Sequence, residues 1–178
     1  MGFGGSGTNL YAYASDSPTN FVDPFGLASC VYSISAHVLI CVSDTSQSPE
    51  TILLGPDGMS SGQGTCANNL ACINNTYNQN DPNSGGPIPP GWYQMTFMHQ
   101  YDSAERFDLA ELPRDIFSRA LRAMLGRRRG FQMHRGTITH GCVNADKNNP
   151  DLMDQWDQLV ELLLSEQNTS GNILHVTP

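Results

Sequence analysis

Between His134 and Cys142 the chain brings together two histidines and a cysteine, in the run His134-Arg135-Gly136-Thr137-Ile138-Thr139-His140-Gly141-Cys142. A thiol becomes a strong nucleophile when a nearby imidazole takes its proton or stabilises the thiolate. Histidine suits that task because it titrates near neutral pH. Either His134 or His140 can be the base. A tight turn at Gly141 lets the amides of Gly141 and Cys142 point at one spot, as an oxyanion site requires. The chemistry implied is acyl transfer through a thioester, with no metal or organic cofactor. No CxxC pair and no Cys/His spacing of a structural zinc site occurs in the sequence.

The elements that must position these residues are mostly strands. Ser33 to Val42 reads as one buried strand, and Thr51 to Leu54 as a second, closed by the turn Gly55-Pro56-Asp57-Gly58. Residues 60–91 are dense in Asn, Gly, Ser and Pro. A loop that long inside a compact domain is functional or pinned by cross-links. Gly91 to Phe97 and Asn172 to Thr177 resume strand character. Ile116, Phe117, Ala120, Leu121, Met124 and Leu125 predict a helix over 113–125, stopped by Gly126. Asn149 as cap and Pro150 in the first turn open a second helix, with a stripe from Leu152 through Trp156 to Leu163. The fold class expected is α+β: a mainly antiparallel, sandwich-like sheet with two peripheral helices.

Composition narrows the partners. In 178 residues, nine Lys and Arg stand against seventeen Asp and Glu, a net charge of −8. Such a surface repels polyanions, which disfavours nucleic acid. No apolar run approaches the ~20 residues of a membrane span, and the Gly-rich start has no secretory-signal pattern. The five cysteines are an odd number. Cys30, Cys41, Cys66 and Cys72 either form two disulfides, which implies an oxidising compartment, or pack as reduced side chains. Cys142 is the one left over.

The block Thr139-His140-Gly141-Cys142-Val143-Asn144 resembles the signature of L,D-transpeptidase (YkuD-type) catalytic domains. A preceding His in a strand such as Phe131-Gln132-Met133-His134 is the other half of that signature. Gly86-Pro87-Ile88-Pro89-Pro90-Gly91-Trp92-Tyr93 is similar to a proline segment of the same domains, notably of their secreted antibacterial branch. The resemblance implies Cys142 as nucleophile and His134 as base. His140 then supports the cysteine or the oxyanion, with the backbone at Gly141 and Cys142 as the oxyanion hole. Asn144, Thr139, Arg135 and Tyr93 fall on the substrate side. Only five residues separate the two histidines, where the family has a longer lid-forming insertion. That departure leaves His140 as an alternative base, and a more open cleft favours hydrolysis over transfer to an amine.

A second resemblance lies at the front. Asn9-Leu10-Tyr11-Ala12-Tyr13 and Asp23-Pro24-Phe25-Gly26-Leu27 look like the end of the core domain of Rhs repeat proteins, where such a motif marks the boundary with a C-terminal toxin. It implies residues 1–27 as an Rhs tail, cleavage after Leu27 with Asp23 participating, and residues 28–178 as the toxin domain. Together the two resemblances imply an effector that acts on peptidoglycan stem peptides in the periplasm of target bacteria. Its partners would be an Rhs shell, a secretion apparatus of type VI and a cognate immunity protein. The alternatives are a nuclease toxin, another cysteine peptidase or amidase of the wall, and a non-catalytic wall-binding module. Arg127, Arg128 and Arg129 read as a solvated helix end or an attractor of substrate carboxylates. His37 and His175 read as structural, His99 and Tyr101 as possible cleft residues, and Asp102, Glu105 and Asp108 as acidic surface.

Overall fold

The computed structural model describes residues 28–43, 50–99, 105–112, 128, 130–137, 139–166 and 172–178. The helix expected over 113–125, the motif ending at Asp23 and Leu27, and Tyr101, Asp102, Arg127 and Arg129 lie outside them, as does the side chain of His99. Among the described residues nine strands form one sheet: β1 (Ser29–Ser33), β2 (Val38–Val42), β3 (Thr51–Leu54), β4 (Met59–Ser61), β5 (Gly91–His99), β6 (Glu105–Glu111), β7 (Phe131–Gly136), β8 (Val143–Asp146) and β9 (Asn172–Thr177). A helix, α1 (Pro150–Ser165), precedes β9.

The strand order is β3-β2-β1-β9-β5-β6-β7-β8-β4. Among the described residues only the β1–β9 and β7–β8 pairs are parallel, so the fold is the sheet-rich α+β arrangement expected, mainly antiparallel. The outermost strands, β3 and β4, are consecutive in the chain and joined by Gly55 to Gly58. The sheet therefore curls until its two ends meet at a short turn.

α1 lies across that junction, in contact with β3 and β8. The Asn149 side chain accepts from the Leu152 amide at 3.3 Å, and Pro150 supplies a first-turn residue that needs no donor. Asp146 N–H donates to the Gly58 carbonyl at 2.9 Å, and Asn149 Nδ2 to that of Asp57 at 3.3 Å, which ties the turn to the helix start. Leu152, Trp156, Leu159 and Leu163 bury the helix's inner face in the same apolar core that holds Tyr32, Leu54, Met95 and Phe107 of the sheet.

The sequence from Ser33 to Val42 is not one strand. The chain turns over Ile34 to His37, with His37 at φ 58°, and β1 and β2 pair antiparallel with Cys30 opposite Cys41. Those two cysteines form a disulfide, and Cys66–Cys72 forms the second. His175 stacks on Trp92 with ring centroids 4.1 Å apart, across the β5–β9 pair. None of the helices among the described residues is long and apolar enough to cross a membrane.

Candidate active site

Strands β6, β7 and β8 lie side by side, and their registers set the site. Phe131 and Met133 of β7 are buried, so Gln132 and His134 lie on the other face. Parallel pairing sets Met133 against Val143 and His134 against Asn144, which brings Cys142 alongside Gln132. The Cys142 Sγ accepts the Gln132 N–H at 3.3 Å, and His134 is the next side chain on that face of β7. Cys142, His134, His140 and Thr139 all line one open groove of about 780 Å³. The cysteine is half-buried and is the free one among the described residues.

Histidine 134 has its ring oriented by its own strand. Nδ1 lies 3.2 Å from the Arg135 carbonyl oxygen. A carbonyl only accepts, so this hydrogen bond needs the proton on Nδ1, and Nε2 keeps its lone pair for a thiol proton. Burial pushes the imidazole below its ordinary value; the Arg135 carbonyl opposes that, and Arg106 and His140 add to it. Burial raises the Cys142 thiol, against the Gln132 amide, the Thr139 hydroxyl and the charges of Arg128 and Arg106. Both shifts favour the uncharged forms, a thiol and a neutral imidazole.

The turn before the cysteine is held from behind. Gly141 sits at φ 126°, a conformation open to glycine and strained for other residues. Arg128 donates through Nη2 to the His140 carbonyl at 2.7 Å, and through Nη1 to the carbonyls of Gly86 at 2.7 Å and Pro87 at 3.1 Å. The buried Ser61 hydroxyl donates to the Gly141 carbonyl at 3.1 Å while accepting from Ile88 N–H at 2.8 Å. In a trans peptide the N–H points opposite to the C=O. Anchoring the His140 and Gly141 carbonyls toward the 86–88 segment therefore turns the amides of Gly141 and Cys142 the other way. Two such donors side by side can stabilise an oxyanion.

The long loop over 62–90 is the frame for this clamp. Inside it Asn75 N–H donates to the Cys72 carbonyl at 2.7 Å, and Gly86 N–H to the Asn75 carbonyl at 3.0 Å. The Cys66–Cys72 disulfide closes its first turns. The Tyr77 ring stacks on His140 at 3.6 Å between centroids, so this histidine forms the exposed lip of the groove.

The residues expected on the substrate side scatter. Thr139 lines the groove, and its hydroxyl donates to the Cys142 carbonyl at 3.0 Å. Arg135 lines it too, paired with Glu105 at 3.1 Å and Asp157 at 3.4 Å. Asn144 is 2% exposed beneath the site, where its Nδ2 donates to the Gly136 carbonyl at 3.3 Å. Tyr93 is 1% exposed and faces the core; its hydroxyl donates to the Pro89 carbonyl at 2.7 Å. Sequence reasoning did not reach Arg106, Ser61 or Tyr77. Arg128 proves to hold backbone carbonyls, a role its sequence context does not signal.

The chain matches no protein-family model and no curated protein. Solved structures to which it is similar include three proteins. One is the helical cell shape determining protein Pgp2 from Campylobacter jejuni, at 11% identity and TM-score 0.49, over 84% of this chain and 47% of that one. Another is Bd1075 from Bdellovibrio bacteriovorus, at 11% identity and TM-score 0.48, over 86% and 48%. The third is an L,D-transpeptidase from Stackebrandtia nassauensis, at 12% identity and TM-score 0.43, over 93% and 62%. This chain spans about half the length of the first two.

Proposed function

We propose that this chain is a cysteine acyl-transfer enzyme acting on peptidoglycan stem peptides. The observation that carries the reading is a single groove lined by a free cysteine and a histidine whose ring is oriented by the Arg135 carbonyl. The pinned turn at Gly141 and the motif from Thr139 to Asn144 support it. His134 Nε2 takes the Cys142 proton as sulfur attacks the carbonyl at the L-centre of the diamino acid that precedes D-alanine. The amides of Gly141 and Cys142 hold the oxyanion. On collapse the imidazolium protonates the leaving amine, D-alanine departs, and a thioester remains on Cys142. Water then resolves the thioester, giving L,D-carboxypeptidase activity, or the amine of a D-amino acid does, giving exchange.

The biological role follows the front-end motif. Residues 1–27 are the tail of an Rhs shell released after Leu27, and residues 28–178 are an antibacterial effector domain delivered to the target periplasm. An immunity protein that fills the groove is the expected partner. Two disulfides accord with an oxidising compartment.

Digestion of purified peptidoglycan by the wild type and by Cys142→Ala, followed by muropeptide mass spectrometry, tests the reading. Loss of one alanine from tetrapeptide stems with the wild type alone is expected. A Cys142-dependent cut at another bond would make it a different wall peptidase or amidase, and unchanged muropeptides would overturn the reading.

A further inference from the structure

The peptides on either side of Gly141 are both held at their carbonyl ends. The His140 carbonyl, which accepts Arg128 Nη2 at 2.7 Å, shares its peptide with the Gly141 N–H. The Gly141 carbonyl, which accepts the Ser61 hydroxyl at 3.1 Å, shares its peptide with the Cys142 N–H. Each of the two amides assigned to the oxyanion thus has its own anchor, one charged and one neutral. Arg106, Arg135 and Lys147 line the groove, whereas Arg128 stands outside it, behind the turn. Its guanidinium occupies the space that a Cβ at residue 141 would take. Its partners are three backbone carbonyls and the Phe131 ring, 5.1 Å from the centroid. Among the described residues no carboxylate pairs with it. A half-buried cation without a counterion is costly to keep, and a site where negative charge develops offsets that cost.

We infer that Arg128 is a positioning residue that charges the oxyanion hole through the backbone, polarising the His140–Gly141 peptide so that Gly141 N–H is the stronger of the two donors. The inference rests on the acyl-transfer reading above. When sulfur attacks, the π pair of the substrate carbonyl moves onto its oxygen, and the thiol proton passes to His134. A hydrogen bond from an ionised donor is roughly twice as strong as a neutral one. Amide resonance links the two ends of a peptide. Drawing electrons toward the His140 oxygen therefore leaves the Gly141 N–H more positive, and bonds in such a chain strengthen one another. The guanidinium stays charged at any working pH. Its bonds to the Gly86 and Pro87 carbonyls fix it, so its field needs no rearrangement when the oxyanion forms. The same charge also lowers the Cys142 thiol.

Two reactions of Cys142 in the full chain separate this role from a structural one. Acylation by a stem tetrapeptide passes through an oxyanion. Alkylation by iodoacetamide, in which sulfur displaces iodide from a saturated carbon, does not. In Arg128→Gln, single-turnover acylation should fall about ten- to hundredfold, less than the 10²- to 10³-fold of deleting a donor outright. Its alkylation midpoint should move to higher pH as the nearby charge is lost, while the high-pH plateau rate stays at the wild-type level. Arg128→Lys keeps the charge and loses the fork, and should retain more of the acylation rate than Arg128→Gln. A misplaced turn would slow plateau alkylation along with acylation, and that result would overturn the assignment. Equal loss of acylation in the Lys and Gln variants would also overturn it. So would acylation of Arg128→Gln at the wild-type rate, which would leave the acyl-transfer reading standing. Failure of the wild type itself to be acylated would remove that reading and this inference together.

Discussion

In the proposed mechanism the proton held on His134 Nδ1 by the Arg135 carbonyl decides what the site can do, since it leaves the Nε2 lone pair to act as the base. His134→Gln keeps a polar side chain and loses the base. It should lower kcat by about 10²- to 10⁴-fold with little change in the folded structure, and steady-state kinetics beside circular dichroism checks this. The pH dependence has a defined sign. The base works only when neutral, and burial sets its pKa below the ordinary 6.5. Activity of the free enzyme should therefore persist below pH 6.5 and fall as the pH drops through the depressed value. A wild-type acid limb above 6.5 would contradict the burial argument. Gly141→Ala probes the turn. At φ 126° an added Cβ is strained by about 1–3 kcal/mol, and it would run into the Arg128 guanidinium. Loss of activity should exceed loss of thermal stability. Cys142, His134 and Gly141 are legible in the sequence because they stand close together in an unusual pattern. Arg128, Ser61 and Arg106 are not, because bonds to distant backbone carbonyls and cross-strand neighbours leave no spacing to read.

Among the elements, the loop over 62–90 bears most directly on the site. It is readable as a functional or cross-linked segment from its length and its two cysteines. Its purpose is visible only in the fold, where Gly86, Pro87 and Ile88 anchor Arg128 and Ser61. Replacing Cys66 and Cys72 together by serine removes the staple and leaves the sheet and its Cys30–Cys41 disulfide in place. Such a variant should stay folded while kcat/KM falls roughly tenfold to hundredfold, the scale of an ångström-sized misplacement. Unchanged kinetics would separate the loop from catalysis. α1 was predictable from Asn149, Pro150 and its apolar stripe, since its local and tertiary signals agree. The β1–β2 hairpin was not. Its turn over Ile34 to His37 contains neither Gly nor Pro, so the apolar run appears continuous. β6 was hidden because only Phe107 and Leu109 mark its buried face among five polar or small residues.

At the scale of the molecule, the curled sheet joins residues far apart in the chain into one groove, and closure through the β3–β4 turn has no sequence signature. The cationic groove in an acidic protein is likewise a property of the folded surface. On the proposed role, the wild-type domain should arrest growth or lyse cells when exported to the periplasm and be far less harmful in the cytoplasm. Cys142→Ala should be tolerated in both. Equal toxicity of wild type and variant would point to another activity.

The most direct measurement is intact-protein mass spectrometry after brief mixing with a stem tetrapeptide and acid quench. A mass increase equal to the tetrapeptide acyl group less its terminal alanine is expected, mapped to Cys142 and absent from Cys142→Ala. Release of alanine without an adduct on that sulfur, or with one on another residue, would contradict it.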